Sequence, residues 1–304
     1  MKNLWMKSVS CFNLIQFPVY TSAKLDDFLQ KQLFSPCGAI EREKSGFIAP
    51  FGHDSLVWVV GEFMWLQVKS EKKILPTSVV VKELDERIKG IEAEQGRRVG
   101  RKESREMKEQ LTDELLAKAM VSESYTNILI DTTQNLLLIG TSSVGAGEAI
   151  LKLLLKCVTG LDFQRIEIDG LISKKMAELL IDSDASLFTT DSSLVLKGKG
   201  SPAPTVKFAK HSLASSEVEA HLKAGLSPIA LELGWTERMS FVLTDPFAIK
   251  SINYLELSTS DLGESSAESE AEIIDATLLL QAAELRAMLK DLFVWIKPEL
   301  ATPV

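Results

Sequence analysis

The sequence predicts an α+β protein with antiparallel sheets, packed helices and one projecting helical hairpin. Short β-like runs, several joined by tight turns, occupy both halves of the chain. Two long helical patterns stand apart from them, at 77–119 and 273–296. The length of 304 residues, with 45% apolar and 25% charged side chains, suits one large or two to three ordinary domains.

The elements follow in order. Residues 4–15, LWMKSVSCFNLI, alternate partially and predict a strand. Leu25, Phe28, Leu29 and Leu33 have helical spacing. The next stretch, FSPCGAIEREKSGFIAPFGH, is dense in Pro and Gly and reads as loop. LVWVVGEFMWLQVK predicts two strands around Gly61 and Glu62. After Pro76, the stripe Val80, Leu84, Ile88 and Ile91 predicts a helix, with Thr77 or Ser78 as its N-cap. Gly96 and Gly100 interrupt it, and a second helix from about Arg101 to Ala119 turns Met107, Leu111 and Leu115 inward. The thin apolar stripe and many polar residues predict that this hairpin projects from the body.

Residues 126–140, TNILIDTTQNLLLIG, restore the β pattern as a hairpin, and GEAILKLLLKCV is an apolar helix. Between 161 and 200, FQRIEI, SLFTT and SLVLKG read as short strands around the helix SKKMAELLID. Ser215 caps a helix whose first turns are Glu217 to Leu222. IALELGWTERMSFVLTD gives two strands around Thr236 and Glu237, INYLELS another, and SSAESEAE a flexible acidic stretch before the final amphipathic helix.

Composition narrows the function classes. Cys11, Cys37 and Cys157 are odd in number and widely spaced, which argues against a disulfide framework and for a reducing compartment. No apolar run approaches the roughly 18 residues of a membrane span, and the N-terminus lacks a signal-peptide pattern, so a cytoplasmic chain is expected. The formal charge of −8 is largely a C-terminal property. From Tyr254 to Val304 there are ten acids and three bases, which leaves 32 acids against 31 bases elsewhere. An anion-binding face is compatible with that total, because the local field decides.

Catalytic motifs are scarce. GTSSVGAG has the glycine spacing of a phosphate loop, but Ala146 and Gly147 stand where Lys and Ser/Thr are needed. Without them there is no phosphate cation and no magnesium ligand, and a strand-to-helix turn is the simpler reading. His53, His211 and His221 sit in no zinc motif, and His221 on an amphipathic helix reads as structural. Cys37 could be a nucleophile with a distant His, but a turn cysteine explains it as well.

The basic run is different. Arg97, Arg98, Arg101, Lys102, Arg105 and Lys108 fall within twelve residues. On one continuous helix, Arg97, Arg101, Arg105 and Lys108 share an arc of about 80°. Arg forks suit phosphate oxygens, and neutralised phosphates release counterions whatever the base sequence. A solvated helix face laced with Glu–Lys pairs has the same composition, and both readings stand. Weaker basic sites are Lys207 and Lys210, preceded by Lys197 and Lys199, and the group Lys69, Lys72 and Lys73.

With these residues the chain resembles the recombination-associated protein RdgC family of bacteria. The resemblance rests on FSPCG with GFIAPFG, EKKILPTSVV followed by KELDERIKGIEAEQGRRVGRKE, LTDELL, ILIDTTQNLLLI, LASSEVEAHLKAGL, IALELGW and MSFVL, in family order over nearly the full length. It implies a ring-shaped homodimer around duplex DNA, non-specific binding to double- and single-stranded DNA, antagonism of RecA-mediated strand exchange, and association with the nucleoid and replication. It implies no catalytic residue and no cofactor. Under it, residues 1–75 with 121–165 form a central α+β domain, 76–120 a helical tip, and 166–304 a base α+β domain ending in the C-terminal helix. Arg97, Arg98, Arg101 and Lys102 match the tip's basic segment, and Lys207 and Lys210 a second one. The Pro-Arg-Ala-Phe-like stretch of relatives reads AKAMVSESYTNI here, so the aromatic tip contact is absent, with Met120 and Tyr125 nearby. The alternative is a protein-interaction scaffold that uses the helical hairpin and the acidic C-terminal segment.

Overall fold

The computed structural model describes residues 4–18, 21–166, 168, 171–182, 187–255 and 270–296. It is α+β, with a seven-stranded and a five-stranded sheet, both antiparallel.

The seven-stranded sheet contains β1 (Ser10–Gln16), β2 (Glu43–Ile48), β3 (Trp58–Val60), β4 (Phe63–Ile74), β5 (Met120–Asp131), β6 (Leu136–Ile139) and β7 (Asp162–Arg165). Its order is β2-β4-β5-β6-β1-β7, and β3 shares the β4 edge with β2. Period-two alternation sends neighbouring side chains to opposite faces. Cys11, Trp65, Leu129, Leu136 and Leu138 therefore enter one core. Phe12, Leu66, Ile128, Leu137 and Ile139 enter another, under α1 (Ser22–Leu29) and α4 (Val144–Cys157). Both faces are covered, which is why β6 is apolar at every position.

The five-stranded sheet runs β12-β11-β10-β8-β9, from β8 (Phe188–Lys197), β9 (Thr205–Phe208), β10 (Ser227–Trp235), β11 (Met239–Thr244) and β12 (Ala248–Tyr254). The helix α5 (Leu171–Ile181) packs on β10, and α6 (Ser216–Lys223) is capped by Ser215 Oγ, which accepts from Val218 N–H.

The last helix, α7 (Glu270–Ile296), joins the two sheets. Ile274, Leu278, Ala282, Leu285, Met288, Leu289, Leu292 and Phe293 bury about half of its circumference. Trp58 Nε1 of one sheet donates to Asp275 at 2.7 Å, and Trp235 Nε1 of the other to Asp291 at 2.9 Å. Arg286 bridges Asp131 (2.6 Å) and Glu62 (2.8 Å) on the first sheet, and Arg238 meets Glu284 from the second. Val9 and Ile249 add a direct backbone bridge between the sheets.

Two further helices, α2 (Thr77–Gln95) and α3 (Arg101–Lys118), pack chiefly on each other. Val80, Leu84 and Leu111 form their own small core, with Ile88, Met107 and Leu115 against it. The break lies where the glycines predict it. Gly96 closes α2 at φ 62°, a left-handed conformation that costs glycine little, and Gly100 is the N-cap of α3.

Some elements differ from expectation. The N-cap of α2 is Pro76, with no side-chain acceptor, rather than Thr77 or Ser78. A proline's fixed φ suits the extended cap, and Val79 N–H bonds to its carbonyl. The first helix stops at Leu29, so Leu33 lies outside it and is exposed. Phe188–Thr190 of SLFTT and Ser193–Lys197 of SLVLKG belong to one strand, β8, which stays paired to β10 through register shifts, and Ser186 lies outside the described residues. β1 starts only at Ser10, although Leu4 and Met6 are buried before it. Most of SSAESEAE lies outside the described residues, and its last residues begin α7.

Candidate nucleic-acid interface

The basic run occupies the turn between α2 and α3 and the first half of α3. With 19 residues, α2 is about 28 Å long, which puts Arg97 and Arg98 that far along its axis from the end of β4. The bases fall into two groups. Arg97 makes a two-pronged bond to Glu103, with both distances 2.7 Å, and its Nε donates to Gln95 at 2.8 Å. Lys102 meets Glu106 at 3.9 Å and Arg105 meets Glu109 at 3.2 Å, both at helical i,i+4 spacing. Arg98, Arg101 and Lys108 are exposed and have no ion pair among the described residues. The laced-helix reading thus accounts for three of the six bases and leaves three for an external anion.

Hydrogen bonds from Arg97 hold the Glu103 carboxyl below the ordinary glutamate range, against partial desolvation. Glu103 is the third residue of α3, where a carboxylate also suits the helix dipole. On the α2 side, Glu92 Oε1 accepts from Val99 N–H at 2.9 Å and Glu92 O from Gly96 N–H at 3.0 Å. The turn is tied at both ends.

Lys69, Lys72 and Lys73 lie on β4. Lys69 pairs with Glu123 at 2.8 Å and Glu71 at 3.5 Å. It also lies over the Phe34 ring at 4.8 Å and is only 17% exposed. The Glu123 hydrogen bond raises its pKa, opposed by desolvation. Lys73 Nζ donates to Ala39 O, in the loop just after FSPCG, and Glu71 accepts from Cys37 N–H at 2.9 Å. This part of β4 therefore anchors that loop, and Lys72 is the exposed lysine of the three.

Lys207 and Lys210 lie on and just after β9, the edge strand of the five-stranded sheet, and both are exposed. Lys210 has φ 54° and lines a polar cleft of about 510 Å³ with Thr190, Asp191, Ser192 and His211. Burial, followed by the charge of Asp191, raises the Glu232 carboxyl, and these acids temper the positive field nearby. The three basic groups thus sit on three separate elements of one chain.

The other candidates have structural roles. GTSSVGAG is a strand-to-helix turn, in which Ser143 Oγ accepts from Ala146 N–H at 3.4 Å to open α4. His53 stacks on Trp58, and His211 and His221 flank Phe208. Among the described residues, no three His, Cys, Asp or Glu side chains gather as a metal site. No helix there is long and apolar enough to cross a membrane. Sequence reasoning missed the Arg97–Glu103 pair because its six-residue spacing spans a helix break. It missed Lys69–Glu123 because those residues are 54 apart in sequence.

Comparison with known proteins places this geometry in context. Residues 4–299 match the family model described as "Putative exonuclease, RdgC". Among similar proteins, the recombination-associated protein RdgC of Herminiimonas arsenicoxydans is 30% identical over 290 residues, covering 95% of this chain and 96% of that protein. Its namesake in Burkholderia cenocepacia is 30% identical over 95% and 94%, respectively. That of Neisseria meningitidis serogroup C is 31% identical over 295 residues, 96% of this chain and 98% of that one.

Proposed function

The chain belongs to the RdgC family, and from that premise we propose that it is a non-catalytic DNA-binding protein that acts in recombination. In this reading two copies close into a ring around duplex DNA. The ring also holds single strands, antagonises RecA-mediated strand exchange and keeps the protein at the nucleoid near replication. Residues 76–120 form the tip, 1–75 with 121–165 the centre, and 166–304 the base.

The observation that carries the proposal is the set of exposed, unpaired bases Arg98, Arg101 and Lys108 in and after the turn of the α2–α3 pair. Arg97, Lys102 and Arg105 share that turn and helix, and Lys69, Lys72, Lys73, Lys207 and Lys210 add positive charge on the two sheets. Phosphate contacts position a protein without reading bases, so affinity follows charge and not sequence. Phosphates held by six to ten cations imply a loss of about 10³- to 10⁵-fold in affinity between 50 and 200 mM salt.

Filter binding of two unrelated duplexes at these two salt concentrations tests the reading. Equal affinities with a steep, shared salt loss support it, and salt-independent or absent binding favours the interaction scaffold instead. The family's description names an exonuclease, so end-labelled duplex with magnesium or manganese belongs in the same experiment. Release of nucleotides would overturn the non-catalytic part.

A further inference from the structure

The turn between α2 and α3 contains two kinds of arginine. The Arg97 guanidinium bonds through both Nη atoms to the two Glu103 oxygens and through Nε to Gln95 Oε1. It thereby links the last residue of α2 to the first turn of α3 across Gly96 to Gly100. Glu92 closes the same turn from the α2 side through Val99 N–H. Arg98 lies inside this braced segment and Arg101 is the first residue of α3. Both are exposed and carry no ion pair among the described residues.

A two-pronged arginine–carboxylate pair matches the geometry such a guanidinium would use on a phosphate. For Arg97 to hold a phosphate it must release Glu103, which would leave a bare carboxylate beside a polyanion. The pair is neutral while it lasts, so it adds little to the long-range field. Its effect is to fix where Arg98 and Arg101 stand, and ordering a mobile side chain or loop before binding removes an entropic cost from the binding step.

We propose that Arg97 is a positioning residue: its bond to Glu103 braces the turn so that Arg98 and Arg101 meet the nucleic-acid backbone. The proposal rests on the DNA-binding reading and refines it, because it removes Arg97 from the direct contacts.

Salt titrations of DNA affinity on the full chain separate the two roles. Each phosphate left without its cation lowers the slope of log K against log salt by about 0.9. Arg98→Ala and Arg101→Ala should each lower it by about that much for every copy in contact with the DNA. The charge-neutral double change Arg97→Ala with Glu103→Gln should weaken binding about two- to fivefold with the slope unchanged. Glu103→Gln should weaken binding as well, whereas a phosphate-binding Arg97 freed from its carboxylate would tighten it. The exchange Arg97→Glu with Glu103→Arg should return affinity to within about twofold of the parent, because the brace is rebuilt with its charges reversed.

A slope reduced by about 0.9 per copy in the charge-neutral double change, tighter binding by Glu103→Gln, or an unrescued exchange overturns the proposal while DNA binding stands. A parent chain without salt-dependent DNA binding overturns the DNA reading and the proposal with it.

Discussion

Replacing Arg286 by Ala should loosen the C-terminal helix from the seven-stranded sheet. Arg286 Nε and Nη2 donate to the two Asp131 oxygens at 2.6 and 2.8 Å, and Nη1 reaches Glu62 at 2.8 Å. Its guanidinium lies 4.2 Å from the centroid of the Phe63 ring. The Asp131 side chain is only 3% exposed, and Arg286 is 26% exposed. Removing one partner of a buried ion pair costs about 3–5 kcal/mol, because the other charge stays buried and uncompensated. Two features favour the lower end. The Asp131 Oδ1 atom still accepts from Thr133 N–H (3.1 Å) and Gln134 N–H (3.0 Å), and Arg286 itself is partly exposed. Removing the cation from the Phe63 ring adds about 0.5–1 kcal/mol. The expected total is about 3.5–4 kcal/mol, or a urea midpoint lowered by about 1.2 M for a slope near 3 kcal/mol/M. Glu62→Ala, by contrast, should leave the midpoint in place, since Glu62 is exposed and Asp131 keeps Arg286. An Arg286→Ala midpoint within about 0.2 M of the parent would refute the assignment of α7 as the joint between sheets.

Three further outcomes follow from the same structure. Gly46→Ala should destabilise by about 1–3 kcal/mol in thermal or urea unfolding, because a Cβ there would stand 2.4 Å from Phe34 Cα. Burial pushes the Cys11 thiol up to about 12, and Cys157 is buried too, so native alkylation at pH 8 should begin at half-buried Cys37, with Cys11 reacting only on unfolding. The Glu103 carboxyl, followed by NMR, should titrate below the ordinary value of about 4.3 and return towards it in Arg97→Ala. Its folded pKa is depressed, so its contribution to the turn is present above that ordinary value and lost as pH falls through the lower folded one.

Much of the fold was legible because the signals were local. Thr236 and Glu237 both have positive φ, Arg238 N–H closes the turn on Trp235 O at 3.0 Å, and β10 and β11 flank this three-residue link where the pattern predicts a turn. The α2–α3 break sits between two glycines for an equally local reason. The sequence predicts β8 as two pieces because Asp191 and Ser192 interrupt its apolar alternation. β10 pairs with both sides of the gap, Leu233 with Thr190 and Leu231 with Leu194, and that pairing is a tertiary fact. The position of α7 was hidden similarly: Leu278, Leu285 and Leu289 are visibly apolar, but which sheets they serve depends on partners up to 277 residues away, such as Gln281 with Leu4.

The site followed the same division. The run of bases is visible as composition. Which of them are free is not, because pairing with Glu103 or Glu123 depends on a helix break and a strand register. Charge counted along the chain therefore does not separate Lys69 and Arg97, which are ion-paired, from Arg98 and Arg101, which carry no ion pair among the described residues.

The most direct test of the proposed ring is retention on closed-circular DNA against the same DNA linearised, after a wash at high salt. A closed ring has no end to slide from on a circle, so the account predicts protein held on circles and released when a single cut is made. Equal loss from circular and linear DNA would contradict it.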